Sequence, residues 1–68
     1  MHGLILRRLE SLGYATSVHR MGDYCELHAV KLPEGEPLYL ARADGETDID
    51  VYLAACDLAR MCGVELQG

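Results

Sequence analysis

The sequence predicts an α+β domain with the order α-β-β-β-α, a three-stranded antiparallel meander packed by two helices. Three observations lead there. Apolar residues recur at helical spacing near each end of the chain. Between them lie three β-rich runs, residues 14–21, 24–32 and 38–43. Two turn signals separate those runs, Gly22-Asp23 and the segment Pro33-Glu34-Gly35-Glu36-Pro37.

The first helix is expected over residues 3–12. Leu4, Ile5, Leu6, Leu9 and Leu12 form its apolar side, and Arg7, Arg8, Glu10 and Ser11 the other. Gly13 suits the left-handed position after a helix end, with Tyr14 as the hydrophobic contact that follows. Taking Gly22-Asp23 as a two-residue loop places Met21 opposite Tyr24. Counting outward then pairs His19 with Glu26, Val18 with Leu27, Ser17 with His28 and Thr16 with Ala29. For the second hairpin, pairing Leu32 with Leu38 brings Val30 to Leu40, Ala29 to Ala41 and His28 to Arg42. The second helix is expected over residues 48–62. Thr47 and Asp50 form a capping-box variant, and Asp48 and Asp50 suit the positive end of the helix dipole. Val51, Ala54, Ala55, Leu58, Ala59, Met61 and Cys62 form its apolar face, and Gly63 with Val64 closes it.

This pairing gives the sheet two apolar faces. One holds Thr16, Val18, Cys25, Leu27, Ala29, Tyr39, Ala41 and Ala43, whose small alanines suit close helix packing. The other holds Ala15, Met21, Tyr24, Val30, Leu32, Leu38 and Leu40 around a polar strip of Ser17, His19, Glu26, His28 and Arg42. A sheet needs one apolar face for its own helices, so a second requires a further cover. Either both helices sit on the Leu27 face, leaving Tyr24, Val30, Leu38 and Leu40 to a twin or another protein, or the first helix covers that second face in a three-layer sandwich.

A chain of 68 residues forms one domain. At that size about 60% of the unfolded chain's surface is buried, and the core is marginal. With no Trp or Phe, the four Tyr and the aliphatic residues supply its bulk. Six Lys+Arg against eleven Asp+Glu give a net charge of −5 with no basic stripe, which disfavours nucleic acid as a partner. The opening MHGLILRRL lacks the pattern of a signal peptide, and no stretch approaches the roughly 20 apolar residues of a membrane span. A reducing, cytoplasmic setting is the expectation, with Cys25, Cys56 and Cys62 free: an odd count without C-x-x-C spacing is no disulfide framework.

The chemistry-bearing residues are few. His19, Glu26 and His28 have the donor types of a zinc site, but diagonal placement on neighbouring strands holds the donors loosely. No metal and no cofactor are expected. His28 opposite Arg42 beside Ser17 forms a candidate anion site, without the converging amides of a phosphate cradle. The three cysteines read as small core residues. No nucleophile elbow, glycine-rich phosphate loop or calcium loop is present.

The order of elements, with L-x-x-L-G-Y at residues 9–14, resembles the double-stranded-RNA-binding fold and the HicA-type mRNA interferase toxins that share it. The resemblance implies the fold and an RNA-related role. The toxins place a catalytic His after a glycine-serine pair at the start of the second strand. This chain has Gly22-Asp23-Tyr24 there, so the resemblance does not carry the activity. Residues 43–59, A-D-G-E-T-D-I-D-V-Y-L-A-A-C-D-L-A, are similar to the end of the small phage-type α–β–α sandwich proteins. That group implies no activity. The residues together point to a non-enzymatic interaction module that self-associates through its second sheet face.

Overall fold

The computed structural model describes residues 1–66 as α1 (His2–Ser11), β1 (Tyr14–Arg20), β2 (Tyr24–Lys31), β3 (Leu38–Asp44) and α2 (Asp48–Met61). The strands form one antiparallel sheet in the order β1-β2-β3, so the α-β-β-β-α order and the meander are present as expected.

Local chemistry sets most of the boundaries. Gly13, at φ 96°, turns the chain out of α1, and its amide donates to the Glu10 carbonyl at 3.1 Å. Lys31 closes the same helix end from β2. Its Nζ donates to the Leu12 carbonyl at 2.7 Å and lies 4.7 Å from the centre of the Tyr14 ring. At α2, Thr47 Oγ1 accepts from the Asp50 amide at 3.3 Å, while Asp50 Oδ2 accepts from the Thr47 amide at 3.1 Å. This is the expected capping box. Its C-terminus closes as a Schellman motif: Gly63 N–H donates to Arg60 O at 3.0 Å and Val64 N–H to Ala59 O at 2.9 Å.

The β1–β2 register matches the count from Gly22-Asp23, from Arg20 opposite Cys25 to Tyr14 opposite Lys31. The β2–β3 register differs from expectation by two residues. Leu38 faces Val30, Tyr39 faces Ala29, Leu40 faces His28, Ala41 faces Leu27 and Arg42 faces Glu26. The loop closes on Lys31 rather than Leu32. The Gly35 amide donates to Lys31 O at 2.8 Å, and the Lys31 amide donates to Pro37 O at 3.3 Å. Leu32 turns the other way, its amide donating to Gly13 O at 2.8 Å. A slip of two keeps every side chain on its expected face, because the side-chain period of a strand is two.

Both helices lie on the Leu27 face; the three-layer alternative is not adopted. Ile5 and Leu9 from α1 meet Cys25, Leu27, Ala29 and Ala41 from the sheet and Val51, Ala54, Ala55, Leu58 and Ala59 from α2 in one buried cluster. The result is a slab of 32 × 26 × 15 Å, thick enough for one helix layer on one sheet. Two helix faces differ from expectation. Leu4 and Leu12 are exposed, at 68% and 43%, as is Met61 at 48%. Leu4 sits about 100° round the helix from Ile5 and further from Leu9. Leu12 and Met61 stand at helix ends, past the edge of the sheet-facing stripe. No helix among the described residues is long and apolar enough to cross a membrane.

Candidate functional site: the open face of the sheet

The site is built by strand alternation. Side chains at even positions of β2 and β3 and odd positions of β1 project away from both helices. Tyr24, Glu26, His28 and Val30 run along the central strand and are half-buried between their neighbours. Leu38 (58% exposed) and Leu40 (42%) flank them on β3, with Leu32 and Met21, also exposed, at the two ends. Ala15, Ser17 and His19 form the β1 side and are exposed. Tyr24, Val30, Leu38 and Leu40 are thus brought together on one uncovered surface.

The polar strip crosses its middle as a connected set. Ser17 Oγ and His19 Nε2 share a hydrogen bond at 3.0 Å. The His19 and His28 rings lie against each other with centroids 4.5 Å apart and planes tilted by 42°. His28 Nε2 lies 3.4 Å from Glu26 Oε1. Arg42 stands opposite Glu26 and lays its guanidinium carbon 3.9 Å from the centre of the Tyr24 ring.

That arrangement corrects the expected pairing of His28 with Arg42. His28 faces Leu40, and Arg42 faces Glu26, so the pairing of His28 with Arg42 does not form. The strip carries its own carboxylate between imidazole and guanidinium, and this opposite-charge cross-strand pairing is favourable without a ligand. Among the described residues no group of three or more His, Cys, Asp or Glu side chains is placed to hold a metal ion. Surface depressions are found elsewhere, among them one of about 460 Å³ lined by Lys31, Leu32, Glu34, Glu36 and Pro37. Another, of about 270 Å³, is lined by Met1, His2, Asp48, Ile49 and Tyr52. What the strip offers chemically is flat stacking and hydrogen-bonding groups rather than a ring around a reacting atom.

The cysteines are free; Cys25 and Cys56 are buried and Cys62 is half-buried. Burial pushes the Cys62 thiol up, partly offset by a hydrogen bond with Tyr14 and by nearby Lys31. Burial likewise raises the Tyr14 phenol, reinforced by the neighbouring Cys62 and Tyr39. A thiol held in its protonated form is a poor nucleophile.

Sequence reasoning missed a second exposed apolar area on the helix layer, made by Met1 (83%), Leu4 (68%), Ile49 (71%) and Leu53 (52%). The signal was present: Ile49 and Leu53 are four apart on α2 and about 160° from Val51 on the helical wheel. No family model, curated protein or solved structure matches this chain.

Proposed function

We propose that this domain is a non-enzymatic interaction module that pairs with a second copy of itself through the open sheet face. The observation that carries the reading is the one-sided placement of both helices, which leaves exposed Leu38 and Leu40 and half-buried Tyr24 and Val30 on a sheet face that no helix covers. Apolar surface left uncovered on a small domain marks an interface.

Charge favours a twin as the occupant. Three strands of seven or eight residues make an open face of roughly 25 × 15 Å. That is about half of the ~800 Å² per partner buried in a standard interface, the size of a weak, reversible pair. The chain as a whole carries −5, which repels a copy approaching most of its surface. The open face is nearly balanced instead: Glu26 and Arg42 offset each other, leaving Asp44 at one corner. Two such sheets stack about 10 Å apart, with aliphatic side chains interdigitating and the polar strips meeting near the two-fold axis.

The test is a sedimentation or light-scattering mass at micromolar concentration and neutral pH. The wild type should give twice the 7.5 kDa of one chain. Leu38→Glu with Leu40→Glu should give one chain's mass with an unchanged far-UV spectrum. A wild type that stays monomeric at about 100 μM, where even weak specific pairs form, overturns the reading.

A further inference from the structure

The pairing face holds two adjacent imidazoles at its centre, and their protonation bears directly on whether two such faces can meet. His19 and His28 lie 4.5 Å apart. Histidine is the side chain whose charge ordinarily changes between pH 5 and 8. While both rings are neutral, they lie against each other, share hydrogen bonds with Ser17 and Glu26, and present a low-charge surface. Once both are protonated, two cations face each other across adjacent strands.

We propose that self-pairing through this face is gated by protons at His19 and His28: it holds while both rings are neutral and is released once both are protonated. The proposal rests on the self-pairing reading above. The groups facing the two rings decide its sign. Ser17 comes from β1, Tyr24 and Glu26 from β2, and Leu40 and Arg42 from β3; both helices pack on the opposite face. Glu26 is the one carboxylate within the strip, and Arg42 stands opposite it. Protonating both histidines therefore sets His19, His28 and Arg42 against Glu26, which pairs with His28 at 3.4 Å, and Asp44 at the corner, so that each copy's face turns net positive. Pairing brings the two strips together and removes water from them, where unpaired charge is costly.

The sign separates this gate from ordinary colloidal behaviour. The chain carries −5 with its histidines neutral, so acidification moves the net charge toward zero and weakens whole-molecule repulsion. That effect alone tightens self-association as pH falls. The gate predicts the reverse. With both imidazoles of each copy required to be neutral, as many as four protons are linked to the dimer, and Kd rises about tenfold per linked proton for each pH unit of acidification.

The experiment is sedimentation of the full chain at pH 7.5, 6.5 and 5.5 at fixed ionic strength, with a far-UV spectrum at each pH. The gate predicts a dimer at pH 7.5 and a folded monomer at pH 5.5. A dimer of equal or greater affinity at pH 5.5 overturns the gate and leaves the pairing reading intact. Monomer at every pH overturns the pairing reading itself. Loss of the folded spectrum at pH 5.5 also overturns the gate, because dissociation is then unfolding. His19→Gln and His28→Gln, each alone, should flatten the slope of log Kd against pH. If both keep the full slope, the protons belong to other groups and the proposal fails.

Discussion

The two faces of this sheet are cut from the same three strands, yet they differ in side-chain size, polarity and what lies over them. The covered face alternates one large residue with small ones: Leu27 sits among Cys25, Ala29 and Ala41, all essentially inaccessible. Alanines at 54, 55 and 59 of α2 continue that pattern from the other side. Small residues let the helix backbone come close, so the core is dense although no Phe or Trp fills it. The open face carries branched and aromatic residues, Tyr24, Val30, Leu38 and Leu40, around an ionisable strip. The lesson is that an apolar face does not of itself recruit the chain's own helices. The face with small residues at its centre takes them, its charged groups Arg20 and Lys31 standing at the strand ends where they reach the helix termini; the face with larger residues and a polar strip across its middle is left uncovered.

Substitutions on the two faces should therefore separate folding from pairing. The largest effect is expected for Leu27→Ala, which empties the centre of the covered face. It should lower stability by about 2–5 kcal/mol, enough to leave a domain of this size largely unfolded, as chemical denaturation would record. On the open face, Leu38→Glu with Leu40→Glu should shift folding stability by no more than about 0.5 kcal/mol while abolishing the dimer mass. Equal unfolding by both sets would erase the distinction between the faces.

The covered side also depends on its helix termini. Thr47→Ala removes one half of the capping box and should lower the denaturation midpoint by an amount equivalent to about 1 kcal/mol, with the dimer constant untouched. The smallest expected effect concerns Tyr14 and Cys62, which lie together beside Lys31. Both groups titrate above their ordinary values of 10.0 and 9.0 because burial favours the protonated forms. A group raised by folding contributes stability that is complete below its unfolded value and declines as pH rises through the folded one. Melting temperature should therefore hold steady up to about pH 8 and drop progressively above pH 9. A flat profile through pH 10.5 would place both groups in water.

Much of the architecture could be read from local chemistry. The two-residue Gly22-Asp23 loop fixes its own register, because a tight turn leaves only one way to count outward. Thr47 with Asp50, and Gly63 with Val64, mark the ends of α2 through hydrogen bonds between residues close in sequence. The β2–β3 register was not legible for the opposite reason. Its loop is longer, and Leu32 is taken by the Gly13 carbonyl, a partner nineteen positions away that no local pattern reveals. With Leu32 bonded there and the loop closing on Lys31, Arg42 meets Glu26 rather than His28, and this sets the character of the polar strip. The face assignments survived because parity is unaffected by a slip of two. Leu4 is exposed although apolar because its angular position turns it away from Ile5 and Leu9, whereas Ile49 and Leu53 lie outside the expected apolar face of α2.

The most direct measurement of what the open face is for is a set of isotope-filtered nuclear Overhauser contacts in a mixed sample of labelled and unlabelled chains at neutral pH. Self-pairing through this face predicts intermolecular contacts from the methyls of Val30, Leu38 and Leu40 to those of the second copy and to the Tyr24 ring. Intermolecular contacts confined to Leu4, Ile49 and Leu53 on the helix layer, or none at all, would contradict it.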